Sequence, residues 1–181
     1  MDAGTLKHPD VPQALPPVVR ARLQAGQRRV TGAGDERVVW HAWGVPDGAP
    51  PVVLLHGGSG SWTHWVKNIV PLLDAGRWVL AADMPGFGDS DPPAVGSDAD
   101  AMAGPLAAGL RALVGAVDGP ADAVPVLACF DHEEIGSAST EGADGTLLAT
   151  VLERVTESLG MTRGQWHAAL ARSVKIGRAH V

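Results

Sequence analysis

Apolar residues follow two rhythms along this chain. Unbroken apolar runs end in glycine or an acidic residue, and between them apolar residues recur at three- and four-residue intervals. "PPVVLLHGG" (50–58), "WVLAADMPGFG" (78–88) and "VPVLACF" (124–130) are of the first kind. Each predicts a strand buried on both faces. "HWVKNIVPLLDAG" (64–76) is of the second, with Trp65, Ile69, Leu72 and Leu73 at helical spacing and Gly76 placed to close the helix. "DADAMAGPLAAGLRALVGAV" (98–117) also predicts a helix, with Gly104 and Pro105 marking a break or restart. Further on, Leu147, Leu148, Val151, Leu152, Val155 and Leu159 share one helical face that stops at Gly160. "TRGQ" then fits a capping box, Thr162 at N-cap and Gln165 at N3, opening a last helix through Trp166 and Leu170. Near the start, "PPVVRARLQAG" (16–26) predicts a short helix closed by Gly26. "QRRVTG" and "ERVVWHAWG" predict two strands with "AGDE" as their turn.

Strands alternating with helices predict an α/β fold: a mostly parallel sheet with helices on both faces. In such sheets chemistry gathers at the carboxyl ends of the strands. Three suggestive stretches fall there: "HGGSGSW", "DMPGFGDS" and "DHEE".

Composition narrows the function classes. A net charge of −6 with no basic stripe argues against a nucleic-acid partner. No apolar run approaches the length of a membrane span, and "MDAGTLKHPDVPQ" lacks the apolar core of a signal peptide. The single cysteine, Cys129, excludes an internal disulfide framework. Its apolar surroundings predict a buried, inert thiol. Together these features predict a soluble cytoplasmic protein. The oligomeric state is left open.

Residues 27–110 resemble the α/β-hydrolase family, on "VVLLHGGSGSWTHW" after the third strand and "AADMPGFGDSD" after the fourth. The resemblance implies that Gly58 supplies a backbone N–H to an oxyanion hole, with His56 and Gly57 shaping the turn. Glycine suits that role because the backbone must approach the developing oxyanion closely. The bland alternative is a tight strand-to-helix turn. Asp83, Gly86, Gly88 and Ser90 are structural under either reading. Trp62 and Trp65 either line a pocket or pack in the core, and core packing is the expectation. The family's nucleophile sits in a Gly-x-Ser-x-Gly elbow after the next strand, and no such motif occurs in this chain. "VPVLACF" leads into Asp131 instead.

Residues from about 108 to 174 resemble the aspartyl-aminopeptidase-like zinc metallopeptidases, on "VPVLACFDHEEIGSASTEGADGTLLATVLERV". The resemblance implies Glu133 as the general base that takes a proton from metal-bound water, and Glu134 as a zinc ligand. Asp131 and His132 frame the pair. Adjacent carboxylates at a rigid strand end let one grip the metal while the other reaches the water. The family's other ligands, an upstream histidine, a bridging aspartate, a downstream aspartate and a late histidine, are not identifiable, so zinc is expected to bind weakly. His167 is expected at the surface.

The simplest account is a chimera joined near residues 105–120, with both active sites incomplete. It divides the chain into an arm and short helix (1–26), a hydrolase-like front (27–110), a peptidase-like strand, loop and helix (111–174) and a tail (175–181). The tail, "KIGRAHV", resembles a translated sequencing adapter. That likeness implies an artefact, and that the chain ends because a read ended. Substrates of the parent families would be small molecules or peptides. Two alternatives stand beside the chimera: a divergent active α/β hydrolase, and a noncatalytic α/β binding module.

Overall fold

The computed structural model describes residues 6–7, 11–47, 51–57, 60–114 and 126–129. Strand β1 is Leu6–Lys7, helix α1 Pro17–Gln24, β2 Gln27–Thr31, β3 Val38–Trp43 and β4 Val52–Leu55. A 3₁₀ turn, Trp62–Trp65, leads into α2, Val66–Asp74. Then follow β5 Val79–Ala82, α3 Ala99–Val114 and β6 Val126–Cys129. The helices read from residues 145–174 lie outside the described residues.

The strands form one sheet in the order β1-β2-β3-β5-β4-β6. The α/β class read from the sequence holds, with the sheet mixed. β1, β2, β3 and β5 pair antiparallel in succession, while β4 pairs parallel with β5 and with β6. The two all-buried runs, Val52–Leu55 and Val79–Ala82, lie side by side in its interior. There alternate side chains enter opposite layers. Val53, Leu55, Leu80 and Ala82 pack with Trp40 and with Met102, Ala103, Leu106, Ala107 and Leu110 of α3. Val52, Leu54, Val79 and Ala81 pack with Leu23 of α1, Ile69 of α2, Trp43, Trp62 and Trp65. Helices thus cover both faces, and Trp62 and Trp65 belong to the core.

Two helix ends differ in how glycine works. Gly76 adopts φ +70°, and its N–H reaches the Leu73 carbonyl at 3.0 Å while Arg77 N–H reaches Leu72 at 2.9 Å. That is a Schellman closure of α2, as the sequence predicts. Gly26 occupies the same place after α1, and its N–H reaches the Leu23 carbonyl at 3.1 Å without a positive φ; it is needed for space. A Cβ there would come within 2.3 Å of Trp43 Nε1, whose N–H donates to the Leu23 carbonyl at 2.8 Å.

Helix α3 corrects an expectation, because it runs unbroken through Gly104 and Pro105. A proline inside a helix costs roughly 3 kcal/mol. Burying a leucine returns about 1.5–3 kcal/mol. Leu106 and Leu110 are each 1 % exposed, and Met102 is buried with them, so packing outweighs the local penalty.

Candidate functional site

The register aligns Leu55 of β4 with Ala82 of β5 and with Cys129 of β6. Three strands therefore end side by side. The chain leaves them as His56-Gly57, as Asp83-Met84 and, after Cys129, as Phe130-Asp131.

His56 is fully buried. Its Nε2 accepts the Met84 N–H at 3.0 Å. An accepting Nε2 carries no proton, so the ring proton sits on Nδ1 and is donated to the Gly57 carbonyl at 2.7 Å. Phe87 meets the imidazole edge-on at 5.8 Å, and exposed His64 lies 6.0 Å away, centroid to centroid.

Asp83 is also buried. Its Oδ1 accepts the Trp62 N–H at 2.8 Å. Its Oδ2 accepts His41 Nε2–H at 3.1 Å and the Asp89 N–H at 3.2 Å. Burial pushes this carboxyl upward, but the hydrogen bonds from His41, Trp62 and Asp89 and the His41 charge outweigh it. Asp83 is held below the ordinary carboxylate range. His41 packs against Trp62 and Trp43, with ring centroids at 5.1 and 6.3 Å.

The turn after β5 is tied back to β3. Ser90 Oγ donates to the Asp83 carbonyl at 2.7 Å and accepts the Val39 N–H at 2.8 Å. Asp91 takes Arg37 Nε–H and Nη2–H at 2.8 and 3.0 Å. That guanidinium lowers the Asp91 carboxyl to about 2. Gly88, at φ +55°, has no room for a side chain, since a Cβ would lie 2.4 Å from Asp83 Cγ. Asp83, Gly88 and Ser90 thus have the structural roles expected of them.

The rest of the turn after β4 and the remaining anticipated residues divide as follows. Ser61 caps the 3₁₀ turn: its Oγ accepts the Thr63 N–H at 3.3 Å and lies 2.7 Å from Thr63 Oγ1. His56 and Gly57 shape the turn after β4. Gly58 and Ser59 lie outside the described residues, as do Asp131, His132, Glu133, Glu134, His167 and the tail 175–181. Among the described residues no group of three or more His, Cys, Asp or Glu side chains is arranged to hold a metal ion. No helix among them is long and apolar enough to cross a membrane. His41 is the site-forming residue that pattern reading missed. Its one signal is an imidazole at an interior position of the apolar run "VVWHAW".

Comparison with known proteins divides the chain. Two families match it. Residues 50–116 match the alpha/beta hydrolase fold family, and residues 100–180 match the aminopeptidase I zinc metalloprotease (M18) family. The matches overlap only on α3 and the two residues after it. A probable M18 family aminopeptidase 2 of Mycobacterium leprae is 33% identical over 159 residues, covering 84% of this chain and 34% of its own length. That coverage exceeds what residues 100–181 can supply, so it reaches into the front. A probable M18 family aminopeptidase 2 of Clostridium acetobutylicum is 49% identical over 69 residues, covering 38% of this chain and 16% of its own. The chain thus spans about a third or less of these relatives' lengths. Among solved structures, a haloalkane dehalogenase variant from Bradyrhizobium elkanii superposes with a TM-score of 0.51 at 21% identity. It covers 77% of this chain and 38% of the dehalogenase. That likeness establishes the α/β-hydrolase fold. The chain is thus similar to the alpha/beta hydrolase fold family over residues 50–116 and to the M18 family over residues 100–180.

Proposed function

We propose that this chain joins pieces of two hydrolase genes and holds the complete active site of neither. One observation carries the reading: the family likeness changes over within residues 100–116, on α3. Before the changeover the sequence reads "HGGSG", which by resemblance makes Gly58 an oxyanion donor. After it, where a nucleophile elbow would follow the next strand, the sequence reads "FDHEEIGS". An oxyanion hole without a nucleophile has nothing to stabilise. The back piece brings Glu133 as a proton acceptor and Glu134 as a zinc ligand. Tight zinc sites need three or four protein ligands in fixed geometry. The parent enzymes' substrates are of small-molecule or peptide type.

The test uses the purified full chain. It should hydrolyse activated esters no faster than its Ser59→Ala and Ser61→Ala variants, and release no N-terminal Asp or Glu from peptides with zinc added. Calorimetry should find zinc held weakly. Ester turnover lost on changing either serine would establish a divergent active hydrolase. Tight stoichiometric zinc lost in Glu134→Ala would establish a working metal site.

One finding favours a second reading. The Mycobacterium leprae aminopeptidase aligns with part of the front as well as the back. On that reading one M18-type gene supplied the whole chain, and its front is a divergent version of the peptidase sequence. An unbroken genomic copy would support it.

A further inference from the structure

The stretch Gly88 to Ala94, beyond β5, is fastened to the hairpin of β2 and β3 through its polar side chains. Asp89 pairs with Arg28 of β2 at 3.5 Å. Ser90 Oγ accepts the Val39 N–H at 2.8 Å. Asp91 accepts Arg37 Nε–H and Nη2–H at 2.8 and 3.0 Å and the Arg37 backbone N–H at 2.9 Å. Its own N–H returns to the Arg37 carbonyl at 2.9 Å. At the far end, Ala94 N–H reaches Glu36 Oε1 at 3.3 Å. The two acids of the stretch thus meet two arginines of the hairpin. Apolar packing contributes little, because Gly88, Asp89, Pro92 and Ala94 are exposed. Beneath the stretch lies the Asp83 carboxylate. Gly88 passes so close that a Cβ would lie 2.4 Å from Asp83 Cγ, and the Asp89 N–H donates to Asp83 Oδ2 at 3.2 Å.

We infer that residues 88–94 form a strap, latched by charge to the β2–β3 hairpin, that opens as a local unit and uncovers Asp83. The Arg37 and Asp91 side chains are 57% and 19% exposed, so solvent ions reach the pair. Ion pairs so placed are weak and are screened by salt. Phe87, packed against the α3 layer, is the pivot that stays in place. Pro92 and Pro93 fix their own φ angles and stiffen the strap, so it lifts as one piece. Opening removes the Asp89 donor and the Gly88 cover from Asp83 and admits water to its Oδ2. The strap is therefore a salt-sensitive cover over the buried acid at the end of β5.

Amide hydrogen exchange on the isotope-labelled full chain tests the strap. The Arg37, Val39, Asp89 and Asp91 amides all donate across the latch or the strap's underside. Outside it, Asp83 N–H is bonded to the Val39 carbonyl at 2.9 Å and Val52 N–H to the Trp78 carbonyl at 2.8 Å. Arg37→Gln should lower protection of the four latch amides together, by about fivefold or more, and leave Asp83 and Val52 unchanged. Sodium chloride at about 1 M, where charges are screened within about 3 Å, should lower the same four amides in the unaltered chain. Should the variant fail to fold, the salt experiment decides alone. Latch amides that keep their protection in high salt would overturn the inference. So would latch amides that fall, in either experiment, only together with Asp83 and Val52.

Discussion

A carboxylate buried at a strand end is stable as an anion only when donors fill its oxygens. Asp83 meets that condition with His41, Trp62 and Asp89. Removing it leaves those donors facing a void, a loss of about 3–5 kcal/mol for a broken buried pair. Asp83→Ala should therefore move the urea midpoint far down at neutral pH. The pH dependence follows from the lowered folded pKa. Below the ordinary carboxylate range near pH 4 the unfolded chain takes up the proton first. The stabilisation is complete above that range and lost as pH falls through the folded value. Asp91, lowered to about 2 by Arg37, acts in the same direction and window. Urea midpoints between pH 5 and pH 2 should thus fall less steeply in Asp83→Ala than in the unaltered chain. An equal slope would show that Asp83 titrates normally in the fold. The sequence marked Asp83 as structural through its glycine-rich turn. It could not name the partners, because His41 lies 42 residues upstream and a strand register brings it there.

At the scale of elements, the strands were legible because unbroken apolar runs leave no polar face to solvate. The buried rows of β4 and β5 match those runs. Helix α2 was legible from its spacing and its glycine stop. Helix α3 was only partly so, since Pro105 is a local signal and the packing that overrides it is not local. Its glycines give a prediction of opposite signs. A Cβ at Gly104 would meet nothing within 4 Å, so Gly104→Ala should stabilise by about 0.5–1 kcal/mol through helix propensity. At Gly109 a Cβ would lie 2.4 Å from Thr31 Oγ1 and 2.9 Å from Trp40 Nε1. Those atoms are hydrogen-bonded to each other at 2.9 Å. Overpacking there costs typically about 1–3 kcal/mol, more than the propensity gain. Gly109→Ala should therefore lower the melting temperature while Gly104→Ala raises it. Equal shifts would mean that α3 does not press on β2 and β3 at that point.

For the whole molecule, the two family likenesses overlap on helix α3, and the next strand, β6, pairs parallel with β4. Buried strands are read by any sheet as apolar rows, so a strand of one origin can seat beside a strand of another. This explains why the fold was easier to read than the site. Sheet formation asks only for apolar character and register. A catalytic set asks for particular side chains from several strand ends, and Gly58, Glu133 and Glu134 come from the two different stretches. Long-read sequencing of the source DNA across codons 100–125, extended through codons 170–181, tests the join most directly. The account predicts two loci. In one, codons like 50–100 continue into a hydrolase elbow. In the other, codons like 126–160 follow aminopeptidase sequence, and neither contains "KIGRAHV". A single unbroken reading frame running from the glycine turn through "FDHEEIGS" would contradict it.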